Sequence, residues 1–277
     1  MPDSVKQAQS IADALIQDST LASKTIQMDH VRFHYVTRGS GNTLIVFVHG
    51  TPGNWGIFGP QLQSGRLAKH ARLVGLDRPG WGESVVLNGS VPIGLEDQSK
   101  LIGPLLKALI EEYAAEKIIL VGHSLGASLA LRIAMDFSEY IDGIVALSGD
   151  LSPEYPAARW YNKVADLAPV SWFVSGGIEN SNREVLAISE GLRLMKHKWK
   201  NLEEPLLVVQ GSKDILVDPQ HADFAENITT KNQVKVVRFS EGGHLLHVSH
   251  AKVVNELIFK MLSVKENSFF DVKSEVY

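Results

Sequence analysis

The sequence predicts an α/β protein with a mostly parallel, doubly wound sheet. Short apolar runs alternate with segments of helical rhythm from about residue 31 to residue 262, an order typical of strand–helix–strand units. His49, Asp77, Ser124 and Asp150 lie at or just after the ends of apolar runs. Because parallel strands end at the same edge of a sheet, where ligands bind, we expect the functional site at this edge.

Composition narrows the class of protein. The 277 residues suffice for one large core or a core with a small inserted subdomain. A net charge of −4 without a basic block gives no reason to expect a nucleic-acid partner. The absence of cysteine excludes disulfides, thiolate zinc sites and a cysteine nucleophile. No apolar run is long enough for a membrane span, and the polar start does not resemble a signal peptide, so we expect a cytoplasmic location.

The elements follow in order from these patterns. Apolar runs predict strands over 31–37, 44–48, 72–76, 118–121, 143–147, 206–210 and 234–239. Helical spacing predicts helices over 5–21, part of 55–70, 95–113, 127–134, 221–228 and 248–262. We assign residues 1–30 to an N-terminal helical segment, 31–150 and 205–264 to the core, and 265–277 to a tail that frays. On the early strand, His30 and His34 are expected to be exposed.

Residues 151–204 interrupt the alternation and predict an inserted helical cap. Three of the five tryptophans, Trp160, Trp172 and Trp199, fall in this stretch together with Phe173. Such side chains line an apolar pocket under a lid or attach the cap to the core; we expect both, with attachment the commoner role. The pocket residues we predict are Trp55, His123, Trp160, Trp172 and Phe173.

The stretch around Ser124 carries the strongest chemical signal. A buried strand at 118–121 leads into Gly122-His123-Ser124-Leu125-Gly126, and a helix follows. A sharp turn between strand and helix lifts the serine hydroxyl above the sheet edge in a strained backbone conformation. Glycines two residues to either side avoid collisions with the neighbouring elements. We therefore predict Ser124 as a nucleophile.

A serine nucleophile needs a base and an acid that orients the base. His244 lies in a Gly-Gly-His loop after the last strand and is the preferred base, ahead of His247 and His250 on the closing helix. Asp214 follows the strand at 206–210 and is the preferred acid, with Asp150 as a competitor on the same edge. The N–H groups of Leu125 and Thr51 are expected to form an oxyanion hole.

These motifs together resemble the α/β-hydrolase fold of serine hydrolases. The chain carries HGTPG at 49–53, DRPGWGES at 77–84, GHSLG at 122–126, GSKD at 211–214 and GGH at 242–244, in the order of that superfamily. The resemblance spans about residues 31–262 and implies a Ser-His-Asp hydrolase that needs no cofactor and no metal and acts on a small-molecule substrate. It also implies that His49 and Asp77 structure loops rather than catalyse.

Several activities stay open within this resemblance. The preferred one is cleavage of a small to medium, largely apolar ester. Carbon–carbon bond hydrolysis of a vinylogous diketone uses the same triad, with Arg159, Lys163 or Arg193 holding a carboxylate. A proline-iminopeptidase-like enzyme would need acidic groups such as Glu179, Glu184 and Glu190. A ligand-binding receptor on the same fold is the alternative from another class. The oligomeric state is not predicted.

Overall fold

A single ten-stranded sheet forms the centre of the protein in the computed structural model, which describes residues 3–17, 20–155, 176–228, 230, 233–263, 270 and 274–277. The strands are β1 (Ala22–Met28), β2 (Val31–Gly39), β3 (Thr43–Val48), β4 (Arg72–Leu76), β5 (Val85–Val86), β6 (Lys117–His123), β7 (Gly143–Leu147), β8 (Leu206–Gly211), β9 (Val234–Phe239) and β10 (Ser274–Val276). Their spatial order is β1-β2-β4-β3-β6-β7-β8-β9-β10, and β5 pairs with β2.

Most of the sheet is parallel. Every neighbouring pair from β4 through β3 to β10 runs parallel, whereas β2 is antiparallel to β1, β4 and β5. Strand order reverses between β3 and β6, which lie side by side at the middle of the sheet. A crevice at the carboxyl ends of the strands is expected at such a point. The predicted fold class is confirmed.

Helices cover both faces of the sheet. They are α1 (Asp3–Gln17), α2 (Gly59–Leu62), α3 (Gly65–His70), α4 (Leu95–Tyr113), α5 (Leu125–Asp136), α6 (Gly176–Met195), α7 (Gln220–Asn227), α8 (Leu246–Ser249) and α9 (Ala251–Met261), with 3₁₀ turns at Trp55–Phe58, Ser138–Tyr140 and Trp199–Asn201. No described helix is long and apolar enough to cross a membrane.

Strand periodicity divides the core into two apolar clusters. In β3, Leu44 and Val46 face one cluster, and Ile45 and Phe47 face the other, because successive side chains point to opposite sides of a strand. Side chains of α4, α5, α6 and α7 complete the first cluster, and those of α1, α2, α3, α8 and α9 complete the second. This burial on both faces explains why the central strands are unbroken apolar runs.

The two ends of the chain correct the sequence prediction. Residues 1–30 are not wholly helical: α1 ends at Gln17, and Ala22–Met28 forms edge strand β1 with alternating exposure. At the other end, Ser274–Val276 adds strand β10 beside β9 instead of fraying. Lys235, which is buried in β9, donates to Glu275 Oε1 at 2.7 Å and ties β10 to the sheet.

His34 is a further correction, because it is buried rather than exposed. Its Nδ1 donates to Asp77 Oδ2 at 2.7 Å, and its Nε2 lies 2.9 Å from the Ser23 hydroxyl. Burial disfavours the charged ring, but the hydrogen bond to Asp77 and the nearby carboxylates raise the pKa of His34 overall. A polar residue at an inward strand position is accommodated here because a carboxylate pairs with it.

Of the stretch predicted as a cap, the described residues are 151–155 and 176–204. They include one long helix, α6, whose Ile188 and Leu192 pack into the core. Trp199 is also buried there, with its ring against Phe224. The predicted pocket residues Trp160, Trp172 and Phe173 lie outside the described residues, as do Arg159 and Lys163.

Candidate active site

Ser124 lies at a sharp turn between β6 and α5. Its backbone has φ +55° and ψ −128°, a conformation that is strained for a residue with a side chain. A Cβ on Gly122 would lie 2.2 Å from the Gly126 carbonyl oxygen, and one on Gly126 would lie 2.1 Å from that of Val48. Strand and helix can therefore approach this closely only because both positions are glycine.

The loop after β3 lies against this turn. A Cβ built on Gly50 would be only 2.9 Å from the Ser124 Cβ, so the 49–53 loop passes directly beside the serine. Thr51 lines the same cavity as Ser124, and Leu125 begins α5, where backbone N–H groups have no partner within the helix. The two N–H groups predicted for an oxyanion hole thus belong to the residue that follows Ser124 and to the loop that lies beside it.

His244 is paired with Asp214. The His244 Nδ1 donates to Asp214 Oδ2 at 2.9 Å, and the backbone N–H groups of Leu216 and Val217 donate to Oδ1 at 2.9 and 3.0 Å. Burial of Asp214 acts to raise its pKa, but these hydrogen bonds and the His244 charge lower the pKa overall. Asp214 therefore stays ionised, and His244 Nε2 remains as the nitrogen free of the carboxylate.

The competing acid, Asp150, pairs with a different histidine. Its Oδ1 lies 3.3 Å from His221 Nε2, and both side chains are buried. The backbone N–H groups of Leu151 and Ser152 both donate to His221 Nδ1 at 3.1 Å, which leaves the proton on Nε2, facing Asp150. Asp150 therefore faces His221, close to residues 151 and 152, rather than His244.

A cavity of about 870 Å³ opens beside Ser124. Its described lining residues come from the loops at the carboxyl edge of the sheet: Gly50, Thr51, Pro52, Gly53, Asn54, Gly56, Ile57, Trp81, His123, Ser124, Ile215, Leu216, Gly243, His244, Leu245 and Ser249. Among these described residues are no lysine, arginine, aspartate or glutamate. Ser124, His123, His244 and Thr51 all line this cavity, and the described part of its wall suits an uncharged, largely apolar molecule.

Trp55 is not among these lining residues. Its side chain packs in the apolar cluster beneath the loop, and its backbone N–H donates to Asp77 Oδ1 at 2.9 Å. The loop neighbours Asn54 and Gly56 line the cavity instead. The prediction of Trp55 as a pocket residue is therefore corrected, because the turn at Trp55–Phe58 directs its indole toward the core.

His123 belongs to a cluster of rings behind the site. Its Nε2 donates to the His244 carbonyl at 2.9 Å, and its ring centroid lies 4.2 Å from that of His247. Burial, together with the charges of His247 and His244, lowers the pKa of His123 well below its ordinary value. Burial also lowers the pKa of His247, to about 3. Both rings are therefore neutral at pH 7 and support the His244 loop without carrying charge.

Several residues of the site carried no recognised sequence signal. Gln210 Nε2, from four residues earlier in the chain, donates to Asp214 Oδ2 at 3.2 Å. Ile215 and Leu216, directly after the predicted acid, form part of the cavity mouth with their side chains largely exposed. Because they directly follow GSKD, their position in the sequence would have been enough to predict them as cavity residues. Trp81, which also lines the cavity, could have been predicted in the same way, because it lies within DRPGWGES.

Comparison with known proteins agrees with the fold. The family model described as "Alpha/beta hydrolase family" matches residues 45–257. Human "Serine hydrolase BPHL" is 26% identical over 256 residues, covering 86% of each chain. The "2-hydroxy-6-oxononadienedioate/2-hydroxy-6-oxononatrienedioate hydrolase" of Burkholderia vietnamiensis is 28% identical over 148 residues, which is 50% of this chain and 49% of that protein.

Other relatives are longer than this chain or similar in fold alone. The match with "Protein PHYLLO, chloroplastic" of Arabidopsis thaliana is 29% identical over 150 residues, which covers 53% of this chain but 9% of that protein. A match with an acetyltransferase component of the acetoin cleaving system of Pseudomonas putida covers 64% of that protein. The crystal structure of the Cif epoxide hydrolase from Acinetobacter nosocomialis superposes with a TM-score of 0.71 over 95% of this chain and 97% of the other, at 18% identity.

Proposed function

We propose that this chain, which belongs to the alpha/beta hydrolase family, is a serine hydrolase that cleaves a neutral carboxylic ester or a related acyl compound. The observation that carries the proposal is the strained Ser124 turn, which shares one cavity with His244, itself paired to Asp214 at 2.9 Å. A strained serine beside a base held by a buried acid is the arrangement required for acyl transfer.

In this mechanism Ser124 Oγ attacks the substrate carbonyl carbon while His244 Nε2 takes the hydroxyl proton. Asp214 holds the histidine in the tautomer with its proton on Nδ1 and stabilises the charge formed. The N–H groups of Thr51 and Leu125 donate to the developing oxyanion. His244 then returns the proton to the leaving alcohol, and water hydrolyses the acyl-enzyme by the same route in reverse. The apolar lining near Ile57 and Leu245 favours an acyl group without charge.

A fluorophosphonate probe followed by peptide mass analysis tests this assignment. Label on Ser124, lost in Ser124→Ala and in His244→Ala, is expected, because only an activated hydroxyl displaces fluoride from phosphorus. Ser249 lines the same cavity, so Ser249→Ala is the matched control and should label normally. A panel of nitrophenyl esters of increasing acyl length then measures the pocket. Labelling that persists in Ser124→Ala would contradict the assignment.

Carbon–carbon bond hydrolysis is the second candidate, supported by the similarity to the oxononadienedioate hydrolase over half of this chain. Arg193, one of the cations considered for a substrate carboxylate, is exposed and pairs with Glu190 at 2.6 Å. Turnover of a ring-cleavage diketo acid at a kcat/KM above that of the best nitrophenyl ester would favour this activity over ester cleavage.

An aminopeptidase-like activity and a receptor role receive less support from the described residues. Of the acidic groups considered for an aminopeptidase-like site, Glu184 is fully buried in an ion pair with Arg78, and Glu190 pairs with Arg193. A receptor would be indicated by ligand-dependent stabilisation without labelling of Ser124 or multiple turnover.

A further inference from the structure

The carbonyl of Gly50 is held by two side chains beneath the loop that passes Ser124. Arg78 Nη2 donates to the Gly50 oxygen at 2.9 Å, and His49 Nδ1 donates to the same oxygen at 2.7 Å. The Arg78 backbone N–H in turn donates to His49 Nε2 at 3.1 Å. Burial and the nearby Arg78 charge lower the pKa of His49 well below its ordinary value, which keeps Nε2 available as an acceptor.

Holding this carbonyl also orients an N–H group. The Gly50 carbonyl and the Thr51 N–H belong to one planar peptide unit and point in opposite directions across it. Fixing the oxygen therefore also fixes the direction of the Thr51 N–H, and Thr51 lines the cavity that contains Ser124. The direction of the proposed Thr51 donor is therefore set by the partners of the Gly50 oxygen.

Arg78 is itself held by a residue far away in the chain. Its Nη1 and Nη2 donate to the two carboxylate oxygens of Glu184, at 2.7 and 3.1 Å, in the fork geometry that favours arginine. Both side chains are fully buried. Gln98 accepts from Arg78 Nη1 at 2.7 Å and donates to Glu184 Oε1 at 3.0 Å. The ion pair thus connects α6 to the loop beside Ser124.

The same carboxylate reaches the cavity wall. Trp81 Nε1 donates to Glu184 Oε1 at 3.1 Å, and Trp81 lines the cavity. The Arg78 guanidinium lies 5.4 Å from the Trp81 ring centroid, within the range of a cation–π contact. One buried group on α6 therefore fixes a wall residue and, through Arg78, the backbone of the adjoining loop.

We propose that Arg78 and Glu184 are positioning residues for the oxyanion hole, because their buried ion pair fixes the Gly50–Thr51 peptide and aims the Thr51 N–H at the reacting carbonyl. The inference rests on the proposed function. If these residues act in this way, kcat depends on α6, a helix in the stretch assigned to the cap, although neither Arg78 nor Glu184 touches the substrate.

The double variant Arg78→Met/Glu184→Met tests this role separately from stability. Replacing both members of a buried ion pair by apolar residues is often neutral or stabilising, but Gln98 and Trp81 Nε1 lose their Glu184 partner here, so urea denaturation accompanies the rates to show that the variant is folded. Loss of an oxyanion donor reduces the rate about 10²- to 10³-fold; a donor that is misaimed rather than lost should cost roughly tenfold to a hundredfold in kcat. The KM for the same ester should change by a smaller factor than kcat, because ground-state binding does not use the oxyanion hole; any change in KM reports on Trp81, which loses its Glu184 partner.

A boronic acid and an ether analogue of the ester give a second readout. The boronic acid forms a tetrahedral adduct with the serine and requires the oxyanion donors, so its inhibition constant should rise by the same factor as kcat falls. The ether binds in the ground state only, so its affinity should change by the same small factor as KM and by less than the affinity of the boronic acid. The matched control is Glu190→Met/Arg193→Met, the same substitutions at the exposed ion pair of α6, which should leave all three measurements within about twofold of the unmodified protein.

Arg78→Lys is the second variant in case the double variant does not fold. It keeps the positive charge beside Glu184 but loses the planar fork that reaches two acceptors at once, so kcat should again fall at least about tenfold. A folded double variant or lysine variant with kcat close to that of the unmodified enzyme overturns the positioning role. If the unmodified protein neither hydrolyses esters nor labels at Ser124, the proposed function fails, and this inference fails with it.

Discussion

Replacement of Asp214 by asparagine should abolish most turnover, for a reason visible in its hydrogen bonds. Oδ1 accepts from the backbone N–H groups of Leu216 and Val217, whereas Oδ2 faces His244 Nδ1. The asparagine oxygen must stay with the two backbone donors, so its NH₂ group takes the place of Oδ2. His244 then carries its proton on Nε2, so that Nδ1 accepts from that NH₂ group. It thereby loses the nitrogen that would receive the Ser124 proton in the proposed mechanism.

The expected effect is large. Fixing the wrong tautomer in a Ser-His-Asp triad lowers kcat about 10⁴-fold, which corresponds to about 5.4 kcal/mol of transition-state stabilisation. Asp150→Asn is the matched control, because Asp150 is buried on the same edge but pairs with His221. Asp150 Oδ1 lies 3.3 Å from His221 Nε2 without a hydrogen bond and does not contact His244, so the substitution should change kcat by less than about threefold and stability by about 1 kcal/mol.

Steady-state rates with a saturating nitrophenyl ester, together with urea denaturation of each variant, measure both effects. A folded Asp214→Asn protein that keeps more than about a tenth of its kcat would refute the assignment of the acid. The reasoning would also be refuted if Asp150→Asn lost about a thousandfold, because Asp150 would then be the residue that orients His244.

Three further predictions concern stability and the pocket. The pKa of His247 is lowered to about 3, so the free energy of unfolding should fall as pH drops below about 6.5, where the ring is protonated in the unfolded chain only. At pH 5 this ring accounts for a loss of about 2 kcal/mol. Urea denaturation of His247→Phe should therefore show a smaller decrease in the free energy of unfolding between pH 7 and pH 5. Gly126→Ala would place a Cβ 2.1 Å from the Val48 carbonyl oxygen and should lower the free energy of unfolding by about 3 kcal/mol, whereas Gly65→Ala, with open space around the new Cβ, should raise it by about 0.5 kcal/mol. Ile57→Trp narrows the cavity and should lower kcat/KM for octanoyl esters at least about tenfold relative to acetyl esters.

Each of these has a clear contrary result. Equal pH dependence in His247→Phe and the unmodified protein would mean that another group carries the acid sensitivity. Gly126→Ala with unchanged stability would mean that β6 and α5 can separate without cost. An unchanged ratio of long to short esters in Ile57→Trp would place the acyl chain elsewhere in the cavity.

Buried central strands were predictable from the sequence because they leave a continuous apolar signal. Arg72–Leu76, Gly143–Leu147 and Val234–Phe239 have the predicted bounds. Edge strands lack that signal. Ala22–Met28 is half-exposed and pairs with β2 alone among the described strands, so only Ile26 and Met28 mark it as a strand. Ser274–Val276 depends on pairing with β9 and on Lys235, which no local pattern indicates.

The residues of the candidate site, like the strands, differ in how well the sequence predicts them. Ser124, Asp214 and His244 follow strand ends, and strand ends can be located from apolar runs, so their convergence on one edge is a consequence of parallel topology. Position favoured Asp214 over Asp150 but left both open, because both lie on that edge. The contacts separate them: Asp214 pairs with His244, and Asp150 pairs with His221.

The role proposed for the buried pair of Arg78 and Glu184 is one that sequence motifs do not indicate. The loop at 49–53 has little regular backbone hydrogen bonding of its own, so its peptide orientations must be held by side chains. Glu184 lies 106 residues from Arg78 in the chain, and no spacing or periodicity connects them. A buried ion pair generally contributes less stability than apolar residues of the same shape. A requirement for a fixed peptide orientation therefore explains the presence of this ion pair under the proposed oxyanion loop better than a contribution to stability does. A variant with a higher free energy of unfolding but a lower kcat would distinguish these two explanations.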